Sequence, residues 1–153
     1  GRPMAPATYV ELARHPRIVA TKEASGNIAH IANVAALCGD TLAVYSGNDD
    51  QVVPLMSLGG LGVISGVGNV APKVRHDMCA LYFEGKTKES LALQLGILAL
   101  NNALFSDVNP IPVKAAVSML GYEAGPCRLP LGELSDANLE LVKKEMLAFG
   151  LIQ

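Results

Sequence analysis

The chain has 153 residues, of which 50% are hydrophobic and 17% charged, with a net charge of −2. Such a chain can bury a sizeable core. The absence of a lysine or arginine stripe excludes a nucleic-acid surface, and no apolar run reaches the ~18 residues of a membrane span. Cys38, Cys79 and Cys127 are odd in number and widely spaced, which argues for buried thiols in a reducing, cytoplasmic compartment. His15, His30 and His76 form no ligand pair, so neither a metal nor an organic cofactor is expected. The first residues carry no secretion-signal pattern.

In chain order, residues 7–14 read as a short helix, and 17–21 as a strand of apolar, β-branched character. Asn27 is placed to cap a helix running to Cys38, with Gly39 as its stop. Residues 41–45 form a second strand. Asn48-Asp49-Asp50 then reads as the capped start of a helix to Leu58. Residues 62–65 read as a third strand, followed by the glycine-rich Gly66-Val67-Gly68. Pro72 suits the first turn of a helix to Glu84. From there the pattern is helical throughout: one long helix over 86–104, another from Asn109-Pro110 to Leu120, and a last one capped by Ser135 or Asp136 and ending near Phe149.

Strands alternating with helices imply a parallel sheet with right-handed crossovers. The polar and glycine-rich residues follow each strand, at the end of a parallel sheet where chemistry gathers. Three strands with bare edges make a poor finished sheet, while a complete (β/α)8 barrel needs ~250 residues. The expectation is therefore an α/β fold in which 1–85 is part of a barrel and 86–153 an all-helical extension.

Lys22 is the residue with most to explain. It leaves an apolar strand at its C-terminal end and is followed by Glu23-Ala24-Ser25-Gly26-Asn27. Burial there would disfavour the ammonium form, and a neutral amine can attack a carbonyl to form a Schiff base. The plainer alternative is a lysine that reaches solvent beside Glu23. Lys114, by contrast, sits inside a helical pattern and suggests a structural ion pair.

Five segments in order resemble the dihydrodipicolinate synthase (4-hydroxy-tetrahydrodipicolinate synthase) family of pyruvate-dependent class I aldolases. They are Lys22-Glu23-Ala24-Ser25-Gly26-Asn27, Tyr45-Ser46-Gly47-Asn48-Asp49, residues 58–65, Asn109-Pro110-Ile111-Pro112-Val113-Lys114, and Arg128-Leu129-Pro130-Leu131. The resemblance implies the C-terminal half of a (β/α)8 TIM barrel. It implies condensation of pyruvate with aspartate semialdehyde in lysine biosynthesis through diaminopimelate, with no metal or cofactor. By the same likeness Lys22 is the imine-forming lysine, the Ile64 backbone contacts pyruvate, and Gly47 lines the active site. Arg2 resembles an arginine that holds a substrate carboxylate, although Pro3-Met4 follows it where the family has Thr-Gly.

The family's proton-shuttling tyrosine has no match among Tyr9, Tyr45, Tyr82 and Tyr122. The chain alone is thus expected to have little synthase activity, since acid–base groups contribute ~10²–10⁴-fold. The implied partners are a homo-oligomer, tetrameric or dimeric, or an N-terminal half. Two other readings stand beside the synthase. One is a sibling aldolase such as N-acetylneuraminate lyase, which the residues after Lys22 disfavour. The other is a catalytically silent half-barrel that serves as an assembly module.

Overall fold

The computed structural model describes residues 4–153; Arg2, one of the expected site residues, lies outside them. The chain forms two compact units, Gly1–Ser65 and Gly66–Gln153.

The first unit starts with helix α1, Pro6–Ala13, whose proline occupies the first turn. Strand β1 is Ala20–Glu23 and strand β2 is Ala43–Ser46. Between them runs α2, Ile28–Cys38, where the Asn27 side chain accepts from the His30 N–H as expected of an N-cap. β1 and β2 are parallel, with Lys22 opposite Tyr45 and Glu23 opposite Ser46. Helix α3, Val52–Ser57, follows β2. The core lies on one side of this sheet, where Tyr9 of α1 and Ile31, Val34 and Cys38 of α2 meet Leu42, Val44 and Leu55. Fully burying an aliphatic side chain of this kind contributes about 1.5–3 kcal/mol.

Three expectations need correction in this unit. The strand expected over 17–21 is Ala20–Glu23, so Lys22 lies within it rather than after it, and one face is open: Val19 just before it is 68% exposed and Lys22 is exposed, since among the described residues β1 pairs with β2 alone. Residues 62–65 run beside β2 without forming a full strand. They make a single parallel bridge, Val63 to Ser46, since Gly62 has a φ of 140° and turns the backbone out of extended geometry. The Asn48-Asp49-Asp50 run does not cap α3, whose N-cap is Gln51, with no side-chain capping bond to the helix. Asp49 is instead buried and accepts from the Ser65 hydroxyl, tying the end of β2 to the segment beside it.

In the second unit, a 3-10 turn, Val67–Asn69, leads into α4, Pro72–Phe83. The long helix expected over 86–104 is two: α5, Thr87–Gly96, and α6, Leu98–Leu104. The break falls at Ile97, whose backbone (φ −92°, ψ 0°) leaves the helical region just after a glycine. Ile97 itself is fully buried. Helices α7, Ile111–Met119, and α8, Asp136–Ala148, complete the unit, with Ser135 capping α8 through the Asn138 N–H. α4 packs on α5, while α6, α7 and α8 pack together around Leu100, Leu104, Val113, Ala116, Val142 and Met146. Lys114 of α7 forms no ion pair among the described residues, contrary to expectation.

Candidate active site

The site is built at the C-terminal ends of β1 and β2. The Gly47 N–H donates to the Glu23 carbonyl at 2.7 Å, continuing the parallel ladder past the strands. This brings Gly47 against the side chain that precedes Glu23. A Cβ at position 47 would fall 2.8 Å from Lys22 Cε, 3.1 Å from Lys22 Cγ and 2.5 Å from Ala24 Cβ. Only glycine lets the methylene next to the Lys22 amine lie flat against the backbone here. On the other side of β2, the Ser46 N–H donates to the Gly62 carbonyl at 2.9 Å and the Ile64 N–H donates to the Ser46 carbonyl at 2.8 Å. Lys22, Gly47 and Ile64 therefore lie at the same end of adjacent, parallel segments.

The environment of the amine differs from expectation. Lys22 is exposed because, among the described residues, the strand that carries it pairs on one edge only.

Behind the site lies a polar cluster that sequence reasoning did not single out. Residues alternate in direction along a strand, so Glu23 points away from Lys22 into the core, where it is 3% exposed. One carboxylate oxygen accepts from the Ser25 N–H at 3.0 Å, which shapes the turn after Lys22. The same oxygen is 3.9 Å from His30 Nε2, beyond hydrogen-bond distance. Burial holds the Tyr9 hydroxyl above its ordinary pKa, and the nearby Glu23 charge adds to this; a hydrogen bond with Thr21 acts in the opposite sense. Burial also raises the Cys38 thiol. Gly26, with φ 71°, takes a conformation that favours glycine, and its carbonyl accepts from Gln51 Nε2 at 3.2 Å. The two loops that follow β1 and β2 are thereby joined. The signal for Glu23 was present as a charged residue next to an apolar strand; its direction depended on register, which a single strand does not reveal.

No group of three or more histidine, cysteine, aspartate or glutamate side chains is arranged to hold a metal among the described residues. No helix among them is long and apolar enough to cross a membrane.

Residues 1–148 match the model of the dihydrodipicolinate synthetase family. The chain belongs to that family. It is 50% identical to 4-hydroxy-tetrahydrodipicolinate synthase 1 of Clostridium acetobutylicum over 148 residues, which are 97% of this chain and 50% of the relative. The crystal structure of dihydrodipicolinate synthase from Thermotoga maritima superimposes with a TM-score of 0.92 at 38% identity, covering 96% of this chain and 51% of that one. The dihydrodipicolinate synthase of Cyanidioschyzon merolae, solved with lysine bound, gives a TM-score of 0.94 at 36% identity, over 99% of this chain and 52% of that one. The chain thus spans about half the length of the relatives it matches. Its α/β architecture, a small parallel sheet with many helices, is that of the matching part of these family members.

Proposed function

We propose that the chain carries the imine-forming end of a 4-hydroxy-tetrahydrodipicolinate synthase, a lyase of the class I aldolase type that condenses pyruvate with aspartate semialdehyde. The observation that supports this most directly is the packing of Lys22 Cε against Gly47 at the strand ends, with the Ile64 backbone one segment further along. The Lys22 amine attacks the ketone of pyruvate, and loss of water gives an imine. The positive charge of the imine makes a methyl proton easier to remove. The resulting enamine attacks the aldehyde of the second substrate. Gly47 leaves room beside the reacting amine, the Ile64 backbone borders the bound keto acid, and Arg2 holds a carboxylate. The chemistry needs neither a metal nor an organic cofactor.

In this reading residues 1–85 are the last strand–helix units of a (β/α)8 barrel and 86–153 its helical extension, although by compactness α4 groups with the extension. Strands laid against the bare edge of β1 would take water from the Lys22 amine and favour its neutral, nucleophilic form. They would come from an N-terminal half, in an assembly that is homo-oligomeric and cytoplasmic. The exposure of Lys22 supports slow turnover by these residues without such strands.

Borohydride trapping tests the assignment. Incubation with pyruvate, reduction and peptide mapping should place a pyruvyl adduct on Lys22 and none on a Lys22→Arg variant. A folded chain that gives no adduct, even when supplied with the other half of a relative's barrel, would overturn it. That result would favour the assembly module, the reading to which the open edge of β1 lends support.

A further inference from the structure

The second unit contains a cavity of about 420 Å³ that plays no part in the chemistry proposed above. Its floor is one flank of α7, where Ile111, Lys114 and Ala115 line up at helical spacing. Its walls are the irregular segment between α7 and α8, which contributes Cys127 and Glu133, and Leu139 of α8. Gly125 and Gly132 also border it, and a Cβ at either position would meet open space. The volume lies within the range of small-molecule sites, ~300–1,000 Å³.

The charged lining is sparse: one cation, Lys114, and one carboxylate, Glu133, which form no ion pair with each other. Lys114 is half-buried; its backbone N–H donates to the Pro110 carbonyl, but among the described residues its ammonium has neither an ion-pair nor a hydrogen-bond partner. A partly desolvated cation without a counter-charge is costly, so the cavity favours an anion at that spot. Ile111, Ala115 and Leu139 offer apolar surface to the rest of a ligand. Glu133, exposed at the lining, repels a second negative charge and so discriminates against phosphates and dicarboxylates. We propose that this cavity is a binding site for small monocarboxylates with an apolar body, with Lys114 holding the carboxylate. The proposal is independent of whether Lys22 forms an imine.

Cys127 provides a reporter within the site. Its thiolate displaces iodide from either iodoacetate or iodoacetamide: a C–S bond forms, the C–I bond breaks, and the thiol proton goes to solvent. The two reagents are close in size, but only iodoacetate carries the carboxylate that Lys114 would attract. The rates of both reactions would be followed by site-resolved mass spectrometry on the full chain. Cys127 in the urea-unfolded chain serves as the reference, because Cys79 lies in the field of Arg75. The iodoacetate-to-iodoacetamide rate ratio at Cys127 should be roughly two- to fivefold higher in the folded than in the unfolded chain, the factor expected of a partly screened ion pair.

The preference should vanish in Lys114→Met, persist in Lys114→Arg and rise in Glu133→Gln. Hexanoate should protect Cys127 against both reagents, whereas hexanol or inorganic phosphate should protect it less. Circular dichroism of each variant separates a lost cation from lost folding, and Lys114→Arg retains the charge where Lys114→Met is unstable. Equal ratios at Cys127 in the folded and unfolded chains, or a preference unchanged in a folded Lys114→Met chain, would overturn the proposal.

Discussion

The two compact units close their cores by different means. In the second, α6, α7 and α8 lay apolar faces on one another, and Leu104, Val142 and Met146 are completely enclosed. In the first, α1 and α2 cover one side of β1 and β2 while Val19 and Lys22 remain open. A helix satisfies its own backbone groups and needs only a neighbour's apolar stripe. A strand leaves hydrogen-bonding groups at every unpaired edge. The unit that carries Lys22 is thus the one whose open edge leaves more to be paired, and the helical unit is the more self-sufficient.

The contrast should be plainest in stability. Leu104→Ala, at a fully buried position, is expected to cost about 2–5 kcal/mol, measured by urea unfolding. Val19→Ser, on the open face, should stay within about 0.5 kcal/mol. Comparable losses at the two positions would mean that the strand face is covered and that the difference between the units does not exist.

A steric effect confined to the first unit comes next. In Gly47→Val the new side chain would collide with Ala24 and with Lys22 Cε. Displacing the amine should slow pyruvate adduct formation by at least about tenfold, since misplacement by ~1 Å can cost 10²-fold. An unchanged trapping rate would separate Gly47 from the site.

The smallest expected difference is in alkaline stability. Tyr9 and Cys38 in the first unit are both raised from ordinary values of 10.0 and 9.0 by burial. Each therefore holds its proton more tightly when folded. Their contributions are complete below the unfolded values and decline as pH climbs through the folded ones. In the second unit Cys79 is also raised by burial, but the charge of Arg75 opposes the shift. The first unit should therefore lose stability sooner above pH 9, which hydrogen exchange of α2 and α8 amides would register. Earlier loss in α8 would reverse the assignment.

Much of the local structure was legible from local signals. Asn27 and Ser135 cap helices because their side-chain oxygens reach a free N–H three residues on, a relation that depends on sequence spacing alone. Gly26 and the parallel strand–helix order were readable for similar reasons. The break at Ile97 was not, because periodicity continues across it and only the backbone at that residue departs. Nor was the role of Asp49, whose partner Ser65 is distant in sequence.

The sequence by itself determined the parallel strand–helix order, the caps and stops of most helices, and the family to which the motifs point. These depend on short-range sterics, capping and spacing. Only the tertiary structure decided that Gly47 lies on the Lys22 side chain, that Glu23 turns inward, that the amine stands in solvent and that Lys114 faces a cavity unpaired. Those outcomes depend on strand register and on what packs over each face, and neither is encoded within a single segment.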